Sequence, residues 1–142
     1  MQHDMNQVIF HYDGEADAFP PVDPGVRPFG SRVLVQVRRA KTTTKGGIIL
    51  AAEARDTEAW NTQVAKVIGL GPLAYKNRNT MEPWPEGSWC DVGEYVRVPR
   101  YGGDRWSVKT DDGEDEAILV IFNDLDLVGK VTGDPMAIKA FL

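Results

Sequence analysis

The chain has 142 residues, 42% of them hydrophobic and 26% charged, with a formal net charge of −5. That length suits one domain with a modest core and tails and leaves no room for two full ones. The acidic balance works against a general nucleic-acid or anionic-membrane binder, which needs clustered Lys and Arg, and no apolar run approaches the ~20 residues that cross a bilayer.

The N-terminus lacks the basic start and the apolar segment of ~7–15 residues that a secretory signal needs, so the expected compartment is the cytoplasm. Residues 1–25 carry little periodicity and include Pro20, Pro21 and Pro24, which predicts a tail that becomes extended before the domain. The domain is predicted to begin near Val26. In Val33-Leu-Val-Gln-Val-Arg38 the residues Val33, Val35 and Val37 share one face and Leu34, Gln36 and Arg38 the other, the pattern of a half-buried strand. Gln63-Val-Ala-Lys-Val-Ile68 reads as a second strand, stopped by the turn Gly69-Leu-Gly-Pro72. Glu94–Val98 alternates and is closed by Pro99, and Trp106–Thr110 leads into Asp111-Asp-Gly113, a hairpin turn. The return strand Ala117-Ile-Leu-Val-Ile-Phe122 is continuously apolar, which predicts burial on both faces, and Asp124–Val128 reads as a short final alternation. Glu53–Trp60 could form a helical turn or two. Short strands separated by Gly and Pro turns indicate a small all-β barrel or sandwich.

Side chains that could carry chemistry are sparse. His3 and His11 lie in the N-terminal tail, and a zinc site needs three or four converging ligands. Cys90 is the one cysteine, so a single chain has neither a disulfide nor a multi-cysteine site. The acidic run Asp111–Glu116 lacks the ligand spacing of a calcium loop and reads as a solvated hairpin tip. Gly69-Leu-Gly71 and Gly102-Gly103 are too short to cradle a phosphate. Ser31, Ser88, Ser107 and Cys90 have no histidine within the domain to activate them. Trp60, Trp84, Trp89 and Trp106 have few basic residues interleaved and read as core or subunit-interface groups rather than base-stacking platforms.

The stretch Lys41-Thr-Thr-Thr-Lys-Gly-Gly-Ile-Ile-Leu50 is different. Three large apolar residues end a run built for flexibility, and neither Lys41–Lys45 nor Ala51–Arg55 continues a pattern that would bury them. Exposed apolar residues of this kind often mark a contact. Gly46 and Gly47 keep the approach adaptable, and the β-branched pair Ile48 and Ile49 favours an extended bound form. A competing reading makes Gly47–Ala51 an edge strand, but it leaves the turn-like Thr42-Thr-Thr44 unexplained.

In chain order these pieces resemble the GroES-type co-chaperonins, the chaperonin-10 family. Arg27-Pro-Phe-Gly-Ser-Arg-Val-Leu-Val35 is similar to the family's opening strand, and Gly46-Gly-Ile-Ile-Leu50 to its mobile-loop motif. Val64–Gly71, Val92-Gly-Glu-Tyr-Val96 and Ala117–Val128 resemble the family's later strands, so the likeness covers about residues 26–130.

The resemblance implies a small GroES-like β-barrel over 26–130, with a mobile loop at about 39–59, an irregular insert at 72–91 where the family has a roof hairpin, and extensions at 1–25 and 131–142. It implies a non-enzymatic co-chaperonin without a cofactor, a heptameric ring that caps a GroEL-type chaperonin over unfolded client proteins while the partner hydrolyses ATP. Gly46, Gly47, Ile48, Ile49 and Leu50 would be the chaperonin-binding residues, and strands near Val26–Val35 and Asp124–Val128 would pair between neighbours. Ser31 stands where the family carries an acidic residue; with the insert and extensions, this suggests a divergent member, of viral origin and at work in a host cytoplasm. The rival from another class is a structural β-barrel protein of a viral particle, with the same loop as an assembly arm.

Overall fold

The computed structural model describes residues 12–39 and 62–139. They form a six-stranded antiparallel sheet in the order β4-β5-β1-β2-β3-β6, with β1 Arg32–Val37, β2 Val64–Leu70, β3 Tyr95–Arg97, β4 Asp104–Lys109, β5 Glu116–Asn123 and β6 Gly129–Lys130. Among the described residues, helix is confined to one turn, α1 Glu15–Ala18, and a 3-10 turn, Asp124–Asp126. Among the described residues, no helix is long and apolar enough to cross a membrane.

The inner face follows the alternation in the sequence. Val35 stands between Val67 of β2 and Val120 of β5, and Val33 opposite Phe122. These residues share one buried cluster with Val37, Ala65, Val96 and Val98. Among the described residues no second sheet or long helix covers that face, and a sheet that curls around its own side chains excludes water from it, which is the logic of a small barrel. Tyr75, Cys90 and Leu127 belong to the same cluster and close one end of it.

Three expectations change. First, β1 is buried on both faces. Its outer face is covered by the segment before the domain: Gln36 Nε2 donates to the Pro20 carbonyl at 2.8 Å, Val22 bridges to Thr110, and Asp111 N–H donates to the Pro21 carbonyl at 2.9 Å. Residues 12–22 are therefore a packed strap rather than an extended tail. Second, β2 continues through Gly69 to Leu70. Leu34 faces Gly69 while Val35 faces Val67, so Ile68 is the extra residue of a bulge that bends the strand. The turn comes at Gly71, where a Cβ would lie 2.1 Å from the Gly30 carbonyl oxygen. Third, Asp124–Val128 is not a strand. Leu125 is 66% exposed and Leu127 only 7%, because the 3-10 turn puts on opposite sides two residues that an alternating strand would align. As its continuous apolar run predicts, β5 is buried on both faces, at Ala117 and Leu119 on one and at Val120 and Phe122 on the other, with Ile118 and Ile121 half-buried.

The hairpin between β4 and β5 is as expected. Thr110 N–H donates to the Asp115 carbonyl at 2.9 Å, Gly113 N–H donates to the Thr110 carbonyl at 2.8 Å, and Thr110 Oγ1 donates to Asp112 Oδ1 at 2.5 Å. That hydroxyl bond, followed by the Glu114 backbone N–H, holds the Asp112 carboxyl below its usual range. The acidic tip is a hydrogen-bonded turn, and among the described residues no group of His, Cys, Asp and Glu could hold a metal ion.

Candidate functional site: the stem of the loop between the first two strands

Gly46, Gly47, Ile48, Ile49 and Leu50, together with the helical turn expected at Glu53–Trp60, lie outside the described residues. The structure does describe where this stretch leaves and rejoins the barrel. β1 and β2 are antiparallel neighbours with Val37 opposite Ala65, and Arg38 N–H closes the pair by donating to the Val64 carbonyl at 2.9 Å. A hairpin needs about 2–5 residues to join such strands. Here the chain runs from Arg39 to Gln63 before it returns, so this connection exceeds anything the sheet requires.

Both arginines of the stem are held. Arg38 is buried, and an uncompensated guanidinium there would be costly. Its Nη1 donates to the carbonyls of Pro135 at 3.1 Å and Ile138 at 2.6 Å, and its guanidinium lies 5.2 Å from the centre of the Tyr12 ring. Arg39 N–H donates to the Ala18 carbonyl at 2.8 Å, and its own carbonyl accepts the Tyr12 hydroxyl at 2.7 Å. Its guanidinium bonds Asp17 Oδ1 at 2.6 Å and pairs with Asp115. Behind these contacts lies a second small core of Tyr12, Ala18, Phe19 and Val64, with Tyr95, Met136 and Ile138 against it. The Phe19 and Tyr95 rings lie 5.1 Å apart.

The insert is a hairpin in its own right. Lys76 bridges to Pro83, Asn77 N–H donates to the Glu82 carbonyl at 2.7 Å, and Trp84 N–H donates to the Tyr75 carbonyl at 3.1 Å. Tyr75, in the left-handed region at φ 60°, contacts Trp84 edge-on at 5.3 Å and Trp89 at 5.4 Å. Trp84 and Trp89 are thus packing groups, in line with the sequence; Trp60 is outside the described residues. The Tyr75 hydroxyl donates to the Asp124 carbonyl at 3.2 Å. With its one proton placed there, its 3.7 Å contact with Cys90 Sγ has the thiol as donor. Burial pushes up both the Cys90 thiol and the Tyr75 phenol. A thiol kept protonated is a poor nucleophile; Cys90 serves packing.

The sequence did not point to Arg38 and Arg39 as a stem clamp, nor to Tyr12, Asp17 and Asp115 as their partners. The available signal was the cluster of large apolar residues, Tyr12, Phe19, Met136 and Ile138, in segments otherwise read as solvated tails.

Comparison with known proteins agrees with this architecture. The chaperonin 10 Kd subunit family profile matches residues 25–131. The chain is similar to the mitochondrial 10 kDa heat shock protein of Oryzias latipes, at 31% identity over 72% of this chain and 90% of the relative. It is also similar to the co-chaperonin GroES of Tetragenococcus halophilus, at 33% identity over 75% of this chain and 98% of the relative, and to that of Methylacidiphilum infernorum, at 34% over 69% and 88%. The viral origin suggested by the departures, and with it the viral-particle reading, gains no support from these bacterial and mitochondrial relatives. The chain belongs to the chaperonin 10 Kd subunit family and is a non-enzymatic co-chaperonin.

Proposed function

We propose that the protein assembles as a heptameric ring and caps a GroEL-type chaperonin through Gly46, Gly47, Ile48, Ile49 and Leu50, enclosing unfolded client proteins while the chaperonin hydrolyses ATP. The carrying observation is the over-long connection between β1 and β2, whose base is closed by the Arg38–Val64 hydrogen bond and which lies wholly within the family match. Its Ile48-Ile-Leu50 tripeptide has no sequence pattern around it to bury it, and a partner groove would supply that burial. The anchor would enter a groove between two apical helices of the chaperonin.

The ring is supported by exposed apolar side chains at the two predicted neighbour contacts. Val26, Phe29, Leu125 and Val128 are all exposed, Phe29 at 82%, and are side chains that a subunit contact would bury. The proposed compartment is the cytoplasm; the relatives include bacterial GroES proteins and a mitochondrial heat shock protein. Native mass spectrometry of the protein, alone and with a GroEL-type ring plus nucleotide, tests the reading. A heptamer that joins the chaperonin only with nucleotide supports it; a stable monomer, or no complex with any nucleotide, overturns it.

A further inference from the structure

The two segments outside the family match meet each other at the loop stem. The match covers residues 25–131; Tyr12, Asp17, Ala18 and Phe19 precede it, and Pro135, Met136 and Ile138 follow it. Tyr12, Ala18, Phe19, Met136 and Ile138 pack together in the second core, and the two segments grip the two consecutive residues at which the chain leaves β1. From the N-terminal side come the Ala18 carbonyl, the Tyr12 hydroxyl and Asp17, all on Arg39. From the C-terminal side come the Pro135 and Ile138 carbonyls, both on Arg38. Asp115, in the turn between β4 and β5, completes the set on Arg39.

We infer that the terminal segments form a clamp that fixes the direction in which the loop leaves the barrel, with Arg38 and Arg39 as positioning residues for chaperonin capping. The inference rests on the capping reading proposed above. A strap that only stabilised the barrel would need apolar burial on the outer face of β2 and β3, which Phe19 against Tyr95 supplies. It would not need the backbone of Arg39 bonded on both its N–H and its carbonyl, nor its guanidinium held between two carboxylates on different elements. Arms on a ring gain from acting together only while the geometry lets them engage at once. A fixed stem gives every arm the same exit, and a frayed stem spreads the exits.

The test uses the full-length protein, the variant Arg39→Ala, the double variant Asp17→Asn with Asp115→Asn, and the conservative Arg39→Lys. Amide hydrogen exchange reads the Arg39 N–H, and a titration of a GroEL-type ring with nucleotide reads capping. A clamp predicts that Arg39→Ala and the double variant speed exchange at Arg39 and weaken capping at least tenfold, with ring mass and thermal midpoint unchanged. It also predicts partial recovery in Arg39→Lys. A synthetic peptide of residues 40–61, free of any stem, should displace the Arg39→Ala ring at lower concentration than the unaltered ring. Unchanged capping despite faster exchange overturns the inference, as does weakened capping that only tracks a lowered thermal midpoint. Fast exchange at Arg39 in the unaltered ring overturns the clamp alone, whereas failure of the unaltered ring to cap overturns the capping reading and the clamp's role with it.

Discussion

Asp124 holds Tyr75 at two points: its Oδ2 accepts the Tyr75 backbone N–H at 2.9 Å, and its backbone carbonyl accepts the Tyr75 hydroxyl at 3.2 Å. The other carboxylate oxygen accepts the Leu125 N–H at 2.8 Å, and the Asp124 N–H donates to the Ser31 carbonyl at 2.9 Å. One buried acidic residue thus ties the insert, the 3-10 turn and the entrance to β1 together.

Asp124→Ala leaves two N–H donors without their charged acceptor, one of them, on Tyr75, in the core. An unsatisfied buried donor costs about 1–3 kcal/mol, and bonds to charged groups stand at the upper end. The expected loss is about 2–4 kcal/mol in urea unfolding, with the Trp84 and Trp89 fluorescence changing as the insert loosens. A loss under ~0.5 kcal/mol would show that the insert is held by its aromatic contacts alone.

Neighbouring residues in the 3-10 region should respond in opposite ways. Leu125→Asp and Val128→Asp alter exposed side chains, and such changes usually stay within about 0.5 kcal/mol for the subunit's own fold. They should break the ring into smaller species of native circular dichroism. Leu127→Asp, by contrast, puts a carboxylate into the inner core and should unfold the subunit. If Leu125→Asp and Val128→Asp rings keep their mass by light scattering, the subunit contact lies elsewhere.

Burial and the raised thiol make Cys90 unreactive while the barrel is intact. A thiol-labelling reagent at pH 8 should modify it slowly in the native protein and at the rate of a free cysteine in denaturant. Asp124→Ala, by loosening Tyr75, should raise the native rate. Native labelling as fast as in denaturant would mean that the insert opens freely.

The strap should also respond to acid. The Lys66 ammonium bonds Glu15 Oε1 at 2.5 Å and, with a lesser contribution from Tyr95, holds that carboxyl below its usual range. A carboxyl depressed in the folded state contributes stability above its unfolded value of about 4.3, and that contribution fades as pH falls through the lower folded value. The Ala18 and Phe19 amide shifts should therefore change as pH drops below about 4, and Glu15→Gln should remove that transition. The pair is mostly solvated, so the effect is local and salt-sensitive. A transition unaltered in Glu15→Gln would assign it to another carboxyl.

The barrel was legible in the sequence because its information is local. The period-two alternation of Val33, Val35 and Val37 and the turn Asp111-Asp-Gly113 each read correctly from a handful of neighbours. The misreadings share a cause in distant partners. Residues 12–22 carry no period of their own because they pack irregularly on Gln36, Thr110 and Tyr95. Arg38 falls with Leu34 and Gln36 on the second face of an alternating strand, and nothing near it in sequence shows that Pro135 and Ile138 lie over it. Leu125 and Leu127 satisfy an alternation that the buried carboxylate of Asp124 turns into a 3-10 step. Gly46–Leu50 is proposed from likeness to a family and from the lack of any sequence pattern to bury it, and these residues lie outside the described ones.

The most direct test of the capping account is the variant Ile49→Asp, followed by native mass spectrometry with a GroEL-type ring and nucleotide. Burying one Ile side chain is worth about 1.5–3 kcal/mol, a carboxylate in its place adds a desolvation cost, and a defect repeated in every arm of a ring compounds. The account predicts a variant with unaltered circular dichroism and ring mass that forms no chaperonin complex where the unaltered protein does. A variant that caps normally would contradict it by placing the contact elsewhere, and one that unfolds or aggregates would make Ile49 part of the barrel's core.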